Sequence, residues 1–500
     1  MTVMFTMNHW LVVSTALLSG LSFSCSGAVP DASPASPVGS ATPANASLFS
    51  AAQATGDGSN PIPVAANGTV TSLATTPLTL TPSFSPLVSD YYVRCAAGDN
   101  PLTLTVTDGS GTRLSTLVLS EDQATTVAGQ YWIRCLPHDF PHITVTRAGT
   151  PTPGYYLVNS IGFAAVFDTN GVPVWYARGA SVVNVDSPAV NVISLMPNAT
   201  QSFGSSLDSK FQLHSLVDGS VTDIVALNGA TDAHELRTLP NGDHLLFTYP
   251  IESGVNLAGL QSFGATDTMA DCKIEEIDPA GALVWSWLAS DHVDPVQESI
   301  EPATVTVHGA AVRDVFHANS IEVDALGNLL ISMRQTNALF YVERTTGKVL
   351  WKLGGSAFNK DGAALIQIHN DPETAFTMQH DARFLPNGHV TLFDDHGAGT
   401  GVARGVEYAI DHGAGVATLV FQFLGVAASA YEGGFRRYAD GESVIGWGYD
   451  PSDLRVVTEL DANGKDVFDV AFDGMNPTYR SVKVPLSQLD INLMRQSAGK

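Results

Sequence analysis

The sequence predicts an all-β chain, and three observations predict it. Three histidines recur at the head of a repeated unit, which reads HELRTLPNGDHLLF from His234, HANSIEVDALGNLLIS from His317 and HDARFLPNGHVTLF from His380. In each, the histidine opens a β-like run, a Pro/Asn/Asp/Gly turn follows, and a second apolar run closes a hairpin. A second element, a polar turn leading to an aromatic residue, recurs as DTNGVPVW to Trp175, DPAGALVW to Trp285 and ERTTGKVLW to Trp351, with looser copies ending at Phe421 and Phe468. No long helical period interrupts either pattern. Inner His-led hairpins alternating with outer aromatic hairpins describe four-stranded repeats around an axis, a six-bladed β-propeller. Five repeats are counted directly, one of them with the histidine-free inner hairpin FRRYADGESVIGWG from Phe435, and a sixth is expected between Trp175 and His234.

The preceding elements follow in order. The apolar stretch at 10–23 has the length of a signal-peptide core and is too short to span a bilayer. Residues 1–28 are therefore read as a signal peptide, although no Lys or Arg precedes the stretch. Cys25 is a candidate lipidation site. An Ala/Ser/Pro-rich linker covers 29–60. Short Thr/Val/Tyr alternations between Gly and Asp turns make 61–150 a small β-sandwich-like domain, and 151–500 the propeller. Cys95 and Cys135 end similar runs, DYYVRC and QYWIRC. A disulfide between them suits an exported, periplasmic or extracellular protein; two buried thiols are the alternative. Cys272 is expected to be a free, half-buried strand residue.

Composition narrows the partners. Lys and Arg number 24 against 49 Asp and Glu, a net charge of -25. That excess argues against nucleic acid and anionic membrane surfaces. No segment is long and apolar enough for a membrane span, and a homodimer is compatible with the sequence. An anionic substrate must be captured by a local positive cluster.

The repeat supplies such a cluster. The strands of a hairpin are antiparallel, so its first and last residues share one end. Arg334 then neighbours His317, Tyr249 neighbours His234, and Asp394, Asp395 and His396 neighbour His380. Asn319 lies two residues beyond His317, on the same side of its strand. Three imidazoles, a guanidinium and a carboxamide form a pocket for a compact anion with several oxygens. Asp394 and Asp395 either orient His380 or cap the strand end. The remaining histidines follow no register and are read as surface or structural. Two other classes stay open: a ring of three histidines can hold a metal, and a propeller can bind a ligand or protein without catalysis.

The inner hairpins resemble those of the bacterial arylsulfate sulfotransferases that do not use a nucleotide sulfate donor. HELRTLPNG resembles a substrate-binding histidine motif, HANS with its downstream arginine resembles a His-x-Asn motif with a sulfate-binding arginine, and QHDARFLPNG resembles the segment of the nucleophilic histidine. VVTELDANGKDVF and TYRSVKV, with Tyr479 and Arg480, resemble the last blade. The resemblance covers about 155–484. It implies an exported propeller that moves a sulfuryl group from an aryl sulfate donor to a phenolic acceptor through a histidine-bound intermediate. It assigns His380, His317 and Arg334 to catalysis and His234 and Asn319 to substrate binding, with neither cofactor nor metal. Apolar residues of the loops at 251–271, 291–312 and 354–377 (Leu257, Leu260, Phe263, Phe358, Ile366, Phe376) are candidates either to flank an acceptor ring or to close these loops onto the propeller top.

Overall fold

Four of the expected turns are built alike. Asp168, Asp278, Asp324 and Asp461 each accept two backbone N–H bonds through one carboxylate oxygen, from the residues two and four positions on. The glycine three residues after each takes a positive φ. Asx turns closed by a left-handed glycine reverse the chain tightly, which is why these sequences join strands.

The computed structural model describes residues 69–199, 208–307, 309–397, 401–450, 452–474 and 477–499. The expected signal peptide with Cys25, the linker and His308 lie outside them. The described chain is nearly all β. From Tyr155 onward the described strands include six antiparallel sets of four, three forming separate sheets and three lying within larger ones. The first comprises Tyr155–Ser160, Phe163–Asp168 and Pro173–Arg178, completed by Val482–Val484 from the end of the chain. The second, between Trp175 and His234 as expected, runs from Val183–Ala189 to Val221–Ile224. The third opens with Thr231–Thr238, the fourth with Ala318–Val323, the fifth with His380–Phe384 and the sixth with Gly434–Arg437. Opening strands of successive sets are neighbours, and Val482–Val484 lies against both the second and the sixth.

The aromatic residues of the second motif all sit on the last strand of their sheet: Trp175, Trp285, Trp351, Phe421 and Phe468. Trp351 stacks on Tyr341, and the Arg344 guanidinium lies over the Trp285 ring. Two features were not foreseen. Strand Ala364–His369 pairs in parallel with the outer strands of the fourth and fifth sheets, joining them into nine strands whose end strands, Ala318–Val323 and His380–Phe384, lie together. Segments 251–270 and 303–314 also build a further four-stranded sheet, with Asp267–Ala270 parallel to Ala310–Asp314.

Ahead of these lie two three-stranded sheets enclosing a core that includes Tyr91, Val93, Leu104, Val106 and Ile133. Cys95 and Cys135 are joined by a disulfide, with Cα atoms 5.5 Å apart. Strand Ile143–Thr146 then adds to the outer edge of the sixth sheet. Cys272 is a free thiol, buried completely rather than half-buried. Among the described residues no helix is long and apolar enough to cross a membrane.

Candidate active site

Irregular strands aim the histidines. The pairing of each His-led strand with its neighbour shifts register near the histidine: between Thr231 and Leu236, Ala318 and Ser320, and His380 and Arg383. Such bulges turn side chains away from the regular alternation. His317 has φ 48° and Asp381 φ 54°. A non-glycine residue in this region costs on the order of 1–3 kcal/mol and recurs at functional sites. Arg334, one residue past the second strand of its hairpin, donates its backbone N–H to the His317 carbonyl at 2.9 Å, which fixes the two side by side.

These residues line a cavity of about 460 Å³. His234, His317, His380 and Arg334 all face it, with Asp314, Gln335 and Tyr479. Its apolar wall comes from Ile161, Val182, Val183 and Ala199 and, from the inserted sheet, Ala303 and Val305. Tyr431, Glu432 and Tyr449 also line it. The two tyrosine rings stack with centroids 4.8 Å apart.

Hydrogen bonds decide which imidazole nitrogen each histidine presents. His380 Nδ1 lies 3.1 Å from the Met378 carbonyl and 3.1 Å from Asp395 Oδ1. A carbonyl only accepts, so Nδ1 carries the hydrogen and Nε2 keeps its lone pair. His234 Nδ1 is 2.6 Å from Asp232, and His317 Nδ1 is 2.6 Å from Asp314. Their Nε2 atoms meet at 3.2 Å.

Electrostatics agree with these roles. Burial, reinforced by Arg334, His234 and His317, holds His380 well below the usual histidine range. His317 is lowered, chiefly by burial, against the pull of Asp314. Burial would raise Asp314, but His317 and a hydrogen bond from Gln335 outweigh it and keep the carboxylate below its ordinary range. Asp395 is pushed well up by burial and by Asp394 and Glu432. Among the described residues the Arg334 guanidinium bonds only neutral acceptors, namely Gln335 Oε1, Met378 sulfur and the Ala430 carbonyl, and its buried Nε has no partner. A half-buried cation without a carboxylate partner is suited to receive an anion.

Asn319 does not line the cavity. It is fully buried, and its amide donates to the Gln379 carbonyl at 2.7 Å, bracing the peptide ahead of His380. Beneath, buried Arg480 ties the site together. It donates to the carbonyls of His234 and Asn319 and pairs with Glu235, while Tyr479 Oη donates to the same two carbonyls.

Residues 209–473, just over half of the chain, match the family model described as Arylsulfotransferase (ASST). The chain belongs to the arylsulfotransferase family. At the level of the family this is aryl sulfotransferase chemistry on small molecules. No curated protein matches the chain. Among solved structures it is similar to a protein of unknown function from Bacteroides caccae, with 15% identity and a TM-score of 0.41, over 67% of this chain and 99% of that one. A putative 6-phosphogluconolactonase from Bacteroides fragilis is similar at 10% identity and a TM-score of 0.33, over 68% and 100% of the two chains.

All four cavity-lining candidates lie within the stretch matched to the arylsulfotransferase family. Of the paired acids, Asp395 meets His380, whereas Asp394 pairs with Arg404 and His396 and accepts the Thr377 N–H. Tyr249 is buried, its hydroxyl donating to the Ala318 carbonyl. The expected ring-flanking residues are elsewhere: Leu257, Leu260, Ile366 and Phe376 are buried in the cores, Phe263 packs under Arg313, and Phe358 is exposed. Asp232, Asp314, Tyr431, Glu432 and Tyr449 were missed. A signal existed for the first two, since each precedes a register histidine by two or three residues.

Proposed function

We propose that this arylsulfotransferase moves a sulfuryl group from an aryl sulfate to a phenol, without a nucleotide, through a sulfohistidine on His380. The observation that carries the reading is the His380 imidazole, with Nδ1 bonded to the Met378 carbonyl and, among the described residues, no hydrogen bond to Nε2, in a cavity that also holds Arg334. The Nε2 lone pair attacks sulfur, the bond from sulfur to the aryl oxygen breaks, and its electrons leave on that oxygen. Arg334, with His234 and His317 beside it, holds the sulfuryl oxygens as charge shifts among them. The phenolic oxygen then attacks sulfur, and the N–S bond returns its electrons to Nε2. Asn319 positions His380 through Gln379 rather than touching substrate.

The same reading treats the six sheets as blades of a propeller with the histidines at one mouth. It places the domain boundary at 150 and assigns 1–28 to a signal peptide, 29–60 to a linker and the mature chain to an oxidising, exported location; the disulfide is compatible with this. A three-histidine metal site is less well supported. Among the described residues the group of three ligating atoms within 4.8 Å of one another is Glu121, His138 and Asp139, none of which lines the cavity. A pure binding module would have no need of an unbonded, neutral Nε2.

The test is the full chain mixed with 4-nitrophenyl sulfate and phenol. Nitrophenolate release accelerated by phenol, with phenyl sulfate formed and no nucleotide added, is the expected result. Transfer that requires a nucleotide donor contradicts the reading.

A further inference from the structure

The transfer needs a group that takes the proton of the incoming phenol, and most of the cavity is committed. His234 and His317 spend their Nδ1 hydrogens on aspartates and face each other through Nε2. His380 is bonded to sulfur at the moment of need. Asp314, accepting from His317 and Gln335, is too weak a base. Tyr479 donates to the His234 carbonyl.

Glu432 differs. It lines the cavity, and its Oε2 is buried without a hydrogen-bond partner. Its charge is felt by His234 and by Asp395, the acid behind His380. Its backbone is held at φ 67° by a clamped loop. Ala430 N donates to the Tyr449 carbonyl, Tyr449 N to that of Tyr431, Gly433 N to that of Tyr479, and Arg334 to that of Ala430. A strained residue held so firmly, with an unpaired buried oxygen on the site, fits a catalytic role.

We propose that Glu432 is the proton carrier of both half-reactions, flanked by the Tyr431 and Tyr449 rings that receive the acceptor. In the first, the carboxylic acid gives its proton to the departing aryl oxygen as His380 takes the sulfuryl group. In the second, the carboxylate takes the proton of the phenol as its oxygen attacks sulfur and the N–S bond breaks. The protein ends as it began. Burial, moderated by His234, pushes Glu432 up to about 7, where a carboxyl can both give and accept a proton near neutral pH.

This rests on the sulfuryl-transfer reading, and Glu432→Gln in the full chain separates the two. With 4-nitrophenyl sulfate, whose leaving group needs little protonation, the variant should still give a nitrophenolate burst, slowed by less than about 10-fold. Turnover with phenol should fall by about 10²-fold. In mildly alkaline buffer, 4-cyanophenol, already ionised, should recover most of that loss. An equal loss with both acceptors, no loss with either, or a vanished burst overturns the assignment of Glu432 alone. A wild-type chain that releases no nitrophenolate overturns the sulfuryl-transfer reading and this inference with it.

Discussion

In the proposed reaction His380 works through Nε2, the nitrogen opposite its hydrogen-bonded Nδ1. Because burial and Arg334 hold it well below the usual histidine range, it stays neutral through mildly acid solution. The rate of the donor half-reaction should therefore show no loss attributable to histidine protonation around pH 6.5, the ordinary value, as read from burst rates against pH. Stability follows with the opposite emphasis. Below about 6.5 the unfolded chain binds a proton at His380 that the folded chain refuses, so this contribution is complete above that pH and is lost as pH falls. His380→Asn should flatten the dependence of urea midpoints on pH in that window. Arg334→Lys keeps the charge but loses the planar fork, and the burst rate should fall by about 10²-fold; a loss under threefold would deny Arg334 its role. His234, His317, His380 and Arg334 were legible because a repeat marks equivalent positions. Asn319 shared the register and yet faces Gln379, because the bulge at Ala318–Ser320 turns its side chain off the cavity. A local register shift of that kind has no sequence signature.

At the scale of elements, two glycines hold the loop that carries Tyr431 and Glu432. Gly448 has φ 68°, and a Cβ there would stand 2.5 Å from Ser429 Oγ and 2.6 and 2.7 Å from the carbonyls of Glu432 and Tyr431. A Cβ on Gly433 would stand 2.4 Å from the Phe393 ring. Gly448→Ala should cost on the order of 1–3 kcal/mol. It should also impair the acceptor half-reaction more than the donor burst, since the loop moves and the His380 strand does not. Calorimetry with single-turnover kinetics reads both, and equal damage to the two half-reactions contradicts the division of labour. The Asx turns were legible, as each is set by an aspartate and a glycine within four residues. Strand Ala364–His369 and the inserted sheet were not, because they depend on parallel pairing between distant segments. That inserted sheet is also why Ala303 and Val305 wall the cavity in place of the loop residues expected from composition.

Across the whole molecule, the net charge of -25 surrounds a cavity proposed to take an anionic substrate. Long-range repulsion slows the approach of an aryl sulfate, and salt screens it over about 8–10 Å. kcat/KM for a small donor should rise or stay level between low and physiological ionic strength; a steep fall would show that Arg334 and the histidine pair steer more strongly than the net charge repels. All-β architecture, the strand positions of the aromatics and the convergence of the histidines could all be anticipated, since each follows from periodicity. What faces the acceptor could not, because Tyr431, Glu432 and Tyr449 come together only when the loop before the sixth sheet folds onto the turn after its second strand. The covalent step on His380 can be read directly. Mass spectrometry of the full chain, quenched after mixing with 4-nitrophenyl sulfate and without acceptor, should show one acid-labile sulfuryl group, on the peptide containing His380. An adduct on a peptide holding His317 or His234, or none under conditions of rapid nitrophenolate release, would contradict it.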